Sequence, residues 1–269
     1  MPIRVSPGRV LALAGAVAGA AAVAGGCAMA TLPDQGPVRP AALVFSLEPE
    51  NATAGAPLQP AVGVTVLESN GDTAFYSTAT IQLSIAGASG KSGAHLGGIT
   101  QAVPANGTAF FFSLTIDSAG VGYQLQAYAP ALDLVAFSDP FDVVAGAPAR
   151  LVFTVQPVAT PAGDTISPAV RVAVQDTIGN TVLPSTASVT LAIGANPGPG
   201  VLGGITVRQA DSGVATFPGL SVSAPGAGYT LVATSAGLAP DTSAAFTITT
   251  KARLGELRVA RRRAGRHSN

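Results

Sequence analysis

The chain has 269 residues, of which only 10% are charged, and it contains 32 glycines and 21 prolines. It has a single cysteine, which excludes an internal disulfide. Five basic and thirteen acidic residues lie between positions 28 and 250, a balance that argues against a nucleic-acid-binding groove there. Few lysines and glutamates combined with many β-branched residues disfavour long solvated helices and favour many short strands.

Residues 1–27 have the features of an export signal, which we expect to be helical. Arg4 and Arg9 precede the apolar stretch 10–23, which is shorter than the ~20 residues that span a bilayer. Small residues at 24–26 come directly before Cys27. This arrangement resembles the lipobox of bacterial lipoproteins, although Ala24 stands where that family most often has leucine.

The lipobox resemblance implies cleavage before Cys27, whose sulfur and new amino terminus would then carry acyl chains. The mature protein would be attached to a membrane through this lipid, on the bacterial cell envelope. Ala28 follows the cysteine, which in enteric sorting implies the outer membrane. An ordinary secretory signal that is cleaved nearby is the alternative. Residues 28–41 are rich in proline and glycine and predict a semi-extended linker.

The rest of the chain contains a long internal repeat. Leu43–Ala74 aligns without a gap with Leu151–Val182, at an offset of 108 positions that falls to 106 by the GGIT segments at 97–100 and 203–206. A period of about 100 residues is too long for a solenoid or propeller repeat and suits an independent domain. We therefore predict two like domains, module one at 42–146 and module two at 149–250.

Each module shows short runs of alternating apolar residues. Val62, Val64 and Val66 share one face, and a longer run at 134–144 is predicted to be a single strand. About seven such runs per module, separated by turn signals, predict an all-β fold of two tandem antiparallel β-sandwiches. Alignment of the copies predicts that Phe111 lies in the core, because Phe217 occupies the equivalent position in module two.

Two tyrosines follow Gly-x-Gly at equivalent positions. Tyr123 and Tyr229 occupy the place where a sandwich has a tyrosine that hydrogen-bonds back to the preceding corner. This structural role is favoured for both over a binding role.

The repeated pattern resembles the bacterial Ig-like modules of surface proteins, the invasin and intimin class among them. The pattern consists of LVFxxxP, AG, PAVxVxVxDxxGNxV, NGxAxF and GxGYxLxA, and it covers about 42–250. Module two matches better, since Asp176, Gly179 and Asn180 form its DxxGN turn whereas module one has Glu68 and Asp72 there. The resemblance implies two Ig-like sandwiches that serve as stalk, adhesion platform or accessory domain, with no catalytic residues in common.

Motifs for nucleotide chemistry are present only as coincidences. Gly198–Gly203 spells G-x-G-x-x-G, and Gly90, Lys91 and Ser92 look like the end of a phosphate-binding loop. Both motifs need a helix N-terminus to receive the phosphate, and neither is followed by a helical pattern. We expect no cofactor and no nucleic-acid partner.

Metal and catalytic sites are not predicted. The two histidines, His95 and His267, are far apart, so no zinc set is available. Asp139 and Asp142, with Asp72 or Asp176, are too few for calcium, and all are expected to bond the backbone of their own turns. His95 lies in a variable loop and is predicted to be solvated, with no aspartate close to it, so the sequence predicts a non-enzymatic protein.

Residues 251–269 form an arginine-rich tail. The tail is predicted to be a disordered, solvated terminus, with attachment to an anionic partner as the alternative. For the whole chain we predict a lipid-anchored surface protein whose modules act as spacer or adhesion platform. The alternative is a module that binds carbohydrate or another ligand through exposed aromatic residues, for which Phe75, Tyr76 and Tyr128 are candidates because module two lacks them.

Overall fold

A computed structural model describes residues 38–251 of the chain. The signal segment with Cys27, most of the linker and the arginine-rich tail lie outside the described residues. Every regular element between 38 and 251 is a β-strand, which confirms the predicted all-β fold. This part of the chain forms no helix long and apolar enough to cross a membrane.

Each module contains twelve strands. Those of module one are β1 Pro40–Leu47, β2 Ala52–Thr53, β3 Val62–Glu68, β4 Ile81–Ile85, β5 Leu96–Gly97, β6 Gln101–Ala102, β7 Thr108–Phe111, β8 Thr115–Ile116, β9 Gly120–Tyr123, β10 Leu125–Ala129, β11 Leu134–Phe137 and β12 Phe141–Val144. Those of module two are β13 Arg150–Val155, β14 Thr160–Pro161, β15 Val170–Gln175, β16 Ser188–Ile193, β17 Leu202–Gly203, β18 Val207–Gln209, β19 Val214–Phe217, β20 Ser221–Val222, β21 Gly226–Tyr229, β22 Leu231–Thr234, β23 Asp241–Thr242 and β24 Phe246–Thr249.

The two modules share one topology. Module one has sheets of order β1-β3-β7, β11-β10-β4-β6 and β2-β12-β9, and module two has the matching orders β13-β15-β19, β23-β22-β16-β18 and β14-β24-β21. A short antiparallel pair, β5-β8 or β17-β20, completes each module. Almost all pairs are antiparallel, and the exceptions are β2 with β12 and β14 with β24, which run parallel at the same place in both copies.

Separate hydrophobic cores lie inside the modules. The core of module one extends from Leu43 to Val143 and that of module two from Leu151 to Ile248. Equivalent residues fill them, because period-2 alternation turns the same side chains inward in both copies. The matching buried pairs include Val64 and Val172, Leu83 and Leu191, Phe111 and Phe217, Tyr123 and Tyr229, Leu125 and Leu231, and Phe141 and Phe246. The placement of Phe111 in the core is confirmed, with 1% of its surface exposed.

The tyrosine corners are present in both modules. The hydroxyl of Tyr123 donates a hydrogen bond to the carbonyl of Ser118 at 2.8 Å, and that of Tyr229 donates one to the carbonyl of Ala224 at 2.9 Å. Each tyrosine ring packs against a core phenylalanine at a centroid distance near 6 Å, 6.1 Å in module one and 6.0 Å in module two. The structural role predicted for these tyrosines is confirmed.

The repeated GGIT segment has a steric cause. A Cβ on Gly98 would lie 1.9 Å from the carbonyl oxygen of Ser113, and one on Gly204 would lie 2.5 Å from that of Gly219. Both glycines also have a positive φ, 91° and 99°. Only glycine allows the two backbones to approach this closely, so the residue recurs in both copies.

The prediction of a single strand at 134–144 is wrong. The chain leaves β11, which pairs with β10, and enters β12, which pairs with β9 and β2 in another sheet. Ser138 lies at the break, where its hydroxyl accepts a hydrogen bond from the N–H of Leu125 at 2.9 Å. Pro140 follows and lacks the N–H that a continuous ladder would need.

Candidate functional site

The turn Asp176–Asn180 of module two is a compact, buried polar structure. Oδ1 of Asp176 accepts hydrogen bonds from the N–H groups of Ile178 at 3.1 Å and Asn180 at 2.8 Å. Gly179 has a φ of 101°, which favours glycine at this position. Asp176 is 1% exposed and Asn180 4% exposed. The DxxGN sequence therefore closes its own turn, as predicted for Asp176.

The charge of Asp176 is stabilised by its hydrogen bonds. Burial opposes ionisation of the carboxyl, but the N–H groups of Gly146 and Asn180 and the side chain of Asn180 donate to it. The hydrogen bonds outweigh burial and hold the pKa of Asp176 below its ordinary value. Asp176 is therefore an ionised, fully bonded group at neutral pH.

The same turn connects the two modules. Oδ2 of Asp176 accepts a hydrogen bond from the N–H of Gly146 at 2.9 Å, at the end of module one. Asn180 reaches a second segment of module one, since its Oδ1 accepts from the N–H of Ala119 at 2.9 Å and its Nδ2 donates to the carbonyl of Asp117 at 3.0 Å. We call this set of contacts the joint.

Every hydrogen-bonding group of the Asn180 side-chain amide has a partner. Its Nδ2 also donates to Oδ2 of Asp176 at 3.1 Å, so both amide hydrogens and the amide oxygen have partners. A carboxylate at this position would offer no hydrogen and would repel Asp176. Module one has such a residue, Asp72, whose N–H and carboxylate bond Asn70 in an exposed turn. Only the turn of module two can form a joint of this kind.

Packing and a short connection support the joint. Five residues separate the end of β12 from the start of β13. The side chain of Ile178 lies against Gly55 of module one, where an added Cβ would be 3.1 Å from its Cδ1. A short linker, an apolar contact and three hydrogen bonds therefore connect the two modules.

A cleft of about 320 Å³ lies beside the joint. Its apolar walls include Val121, Val144 and Leu183, which are 77%, 57% and 65% exposed. Lys91 and Asp142 contribute the charges. Oδ1 of Asp142 accepts a hydrogen bond from the N–H of Gly122 at 2.8 Å, 20 positions earlier, so the prediction that Asp142 bonds its own turn is wrong. The cleft is built from both modules, so its shape depends on the joint.

The aromatic residues predicted to contact a ligand lie in two places. Phe75 and Tyr76 occupy the turn that follows β3 and are 62% and 97% exposed, whereas Tyr128 is half-buried on β10. A depression of about 540 Å³ is lined by Ser77–Thr80 and Pro130–Leu132, segments that follow these residues in sequence. None of the three aromatic residues lines it.

Three further aromatic residues are exposed, and the sequence pattern did not predict them as ligand contacts. Phe110 on β7 and Phe112 just after this strand stack with ring centroids 6.0 Å apart, and Phe137 is 57% exposed on β11. Their positions in module two hold Thr216, Pro218 and Thr242. The signal that could have found them is a residue-by-residue comparison of the copies for aromatic residues that the second copy lacks.

The prediction that no aspartate lies close to a histidine is wrong. Nδ1 of His95 lies 3.1 Å from Oδ2 of Asp117, because β5 and β8 pair and bring the two residues together from positions 22 apart. The N–H of His95 also donates to Asp117 and is the main cause that lowers the pKa of this carboxyl. The pair is open to solvent, with 83% and 51% of the side chains exposed.

Metal-binding chemistry has no cluster to support it in the described part of the chain. No three histidine, cysteine, aspartate or glutamate side chains come together between 38 and 251.

Comparisons with known proteins show similarity to solved structures at low identity. No family model and no curated protein matches the sequence. The E. coli adhesin FdeC is 17% identical with a TM-score of 0.36, over 81% of this chain and 65% of the adhesin chain. A β-glycosidase from Bacteroides vulgatus is 13% identical with a TM-score of 0.36, over 77% of this chain and 24% of the other.

Domains 4–9 of the surface layer protein SbsC are 16% identical with a TM-score of 0.29, over 80% of this chain and 32% of the other. The chain thus spans less than two thirds of the length of these structures. Likenesses at this level identify no common function.

Proposed function

We propose that this chain is a non-enzymatic protein of the bacterial cell surface, in which two sandwich modules form a stiff spacer that presents an interaction surface. A lipid on Cys27 would attach it to the envelope, in the outer membrane. The observation that carries the spacer proposal is the joint, because a pair of domains that only needed tethering would not require buried polar groups between them.

The outer ends of the pair differ from the joint. Asp72 stands at the position of module one that is equivalent to Asn180, and Pro225 stands at the position of module two that is equivalent to Ala119. Proline has no N–H to donate to an asparagine of a following module. The same joint therefore cannot form at Asp72 or at Pro225, so its contacts are specific to this pair of modules.

Distance measurements between spin labels test the stiffness. Cysteines replace the exposed residues Val103 and Gln209, one in each module, in full-length protein carrying Cys27→Ser. We expect one narrow distance distribution, and we expect Asn180→Ala to broaden it. Asp72→Ala is the matched control and should leave it unchanged. A broad distribution in the parent protein would refute the stiff spacer.

Mass spectrometry of the membrane fraction tests the anchor. The expected product begins at Cys27 and carries acyl chains, because the small residues 24–26 precede the only cysteine. Cys27→Ser should release the protein from the membrane fraction. Recovery of unmodified protein cleaved at another residue would exclude the lipid anchor and favour an ordinary secretory signal.

A ligand-binding role is the second candidate, and the distribution of aromatic residues favours it. Module two has four aromatic residues, all buried. Module one has ten, five of which are exposed. A spacer alone gives no reason for this difference.

A further inference from the structure

The second module shows which aromatic residues the fold requires. Both modules have aromatic residues at the same four positions, which are Phe45 and Phe153, Phe111 and Phe217, Tyr123 and Tyr229, and Phe141 and Phe246. Module two folds with these alone. The fold therefore does not require an aromatic residue at the six other positions of module one, and contiguous exposed apolar groups commonly mark interaction sites. They are Phe75, Tyr76, Phe110, Phe112, Tyr128 and Phe137.

Two of the six lie on one face of the β11-β10-β4-β6 sheet. Val135, Tyr128, Gln82 and Gln101 pair across the four strands in one row. Phe137, Gln126 and Ser84 form the neighbouring row. The alternate residues Leu83, Leu125 and Ala127 are buried, so both rows point away from the core. Side chains paired directly across strands lie about 5 Å apart, so the rings and amides form a continuous surface.

We call these seven residues the amide-aromatic face. None of them is charged. The side chains of Gln82, Gln101 and Gln126 form no hydrogen bond with other groups in the described region, in contrast to Gln124, which donates to the carbonyl of Ser138. Each free amide offers donors and an acceptor to a ligand.

Module two has replaced this chemistry on the same strands. Thr190, Val207 and Val232 stand in place of the three glutamines, and Thr234 and Thr242 in place of Tyr128 and Phe137. The sheet is therefore stable without rings or amides on its outer face. Their presence in module one is a property of that surface and not of the fold.

We propose that the amide-aromatic face binds a neutral polysaccharide. The C–H faces of sugar rings would stack on Phe137 and Tyr128, and sugar hydroxyls would bond the amides of the three glutamines. An uncharged surface with free donors and acceptors is complementary to an uncharged, hydroxyl-rich chain. This proposal deepens the ligand-binding candidate and makes module one the binding module carried by the spacer.

A stable protein partner fits the face less well. Its exposed apolar side chains, Val135, Phe137 and the accessible part of Tyr128, amount to roughly 250 Å². A stable protein interface buries about 800 Å² on each partner, of which somewhat more than half, roughly 450 Å², is apolar. Near the other aromatic surface, formed by Phe110 and Phe112, the hydroxyls of Thr65 and Thr108 already bond each other at 2.8 Å.

Affinity electrophoresis of the full-length protein tests the proposal. Native gels contain soluble mixed-linkage β-glucan, arabinoxylan, galactomannan or dextran, and an alginate gel provides the anionic comparison. We expect at least one neutral polysaccharide to retard the protein and alginate to have no effect. The double variant Tyr128→Ala and Phe137→Ala should weaken binding about tenfold or more, since it removes both stacking surfaces.

Two matched double variants serve as controls. Thr234→Ala with Thr242→Ala changes the equivalent positions of module two, and Phe110→Ala with Phe112→Ala removes the other aromatic pair. Neither should change retardation, and thermal melts check that all variants are folded. Failure of all four neutral polysaccharides to retard the protein would overturn the proposal, as would retardation that survives loss of Tyr128 and Phe137.

Light scattering examines the remaining possibility, a second copy of the chain on this face. A dimer that depends on Phe137 would overturn the polysaccharide proposal, and a monomer at all concentrations is the expected result. The spin-label distances do not depend on this face, so a negative binding result would leave the spacer proposal standing.

Discussion

Module one and module two have the same interior and different exteriors. Equivalent residues fill the two cores, and the tyrosine corners agree in hydrogen-bond length to 0.1 Å, at 2.8 Å and 2.9 Å. Module one has six aromatic residues that module two lacks. Module two has Asp176 and Asn180 in the turn Asp176–Asn180, and module one has Glu68 and Asp72 at these positions. The comparison is the basis of the proposed division of roles, in which module one contacts a partner and module two supplies the turn that connects the modules.

The largest expected effect tests the equivalence of the cores. Phe111→Ala and Phe217→Ala each remove a ring that is no more than 1% exposed and should lower the free energy of unfolding of their own module by about 3–5 kcal/mol. Chemical denaturation measures both. Clearly different costs at the two positions would show that the cores are not equivalent.

The joint is the next largest contribution. Asp176→Ala leaves the N–H of Gly146 and the backbone and amide of Asn180 without their shared acceptor, so we expect a loss of about 2–4 kcal/mol in denaturation of module two. Glu68→Ala changes the equivalent, half-buried position of module one and should cost less than about 0.5 kcal/mol. Equal effects would remove the distinction between the turns.

Acid should weaken the joint. The pKa of Asp176 is lower in the folded protein than its ordinary value of 3.8, so the unfolded chain binds more protons in this range. The stabilisation is complete above pH 3.8 and is lost as the pH falls through the lowered, folded-state pKa.

Thermal melts across this acidic range measure the effect. Asp176→Asn should reduce stability at neutral pH and flatten the acid dependence. Asp117, whose pKa is also lowered, remains in that variant and accounts for residual dependence. An unchanged acid profile in Asp176→Asn would contradict the assignment.

The tyrosine corners should give smaller and equal effects. Tyr123→Phe and Tyr229→Phe each remove one hydroxyl that donates to a backbone carbonyl, with an expected loss of about 1 kcal/mol. Differential scanning calorimetry of the two single variants provides the measurement. A loss at only one corner would show that the other hydroxyl can be replaced by solvent.

The smallest effect is expected at the surface of module one. Phe137→Thr installs the residue of module two at a position that is 57% exposed and should change stability by less than about 0.5 kcal/mol. Denaturation in urea measures this change. A large loss of stability would mean that Phe137 supports the fold, and it would weaken the inference that the aromatic residues of module one serve binding.

Local pattern and the internal alignment predicted much of the interior. The period-2 runs identified Val62, Val64 and Val66 as inward-facing, and the duplication placed Phe111 and both corner tyrosines. The alignment worked because each core position was seen twice in equivalent surroundings. The break at Ser138 was missed because apolar residues continue on both sides of it, so alternation does not reveal a change of sheet.

The candidate site was predicted only in part. Asp176 was expected to bond its own turn, which its Oδ1 does, but Oδ2 bonds Gly146, which lies 30 positions earlier in the other module. Tyr128 was predicted because module two has no aromatic residue at the equivalent position. The proximity of Phe137 and the glutamines to Tyr128 follows only from strand register. Register brings residues from four strands into two rows, and no spacing along the chain encodes it directly.

The sequence by itself determined the all-β class, the twofold repetition and the inward-facing residues, because alternation and turn chemistry act over a few neighbouring positions. Only the tertiary structure decided that Asn180 couples the modules and that rings and amides share one face of module one. These features join groups far apart in the chain, and their geometry exists only after the strands have paired and the two modules have met.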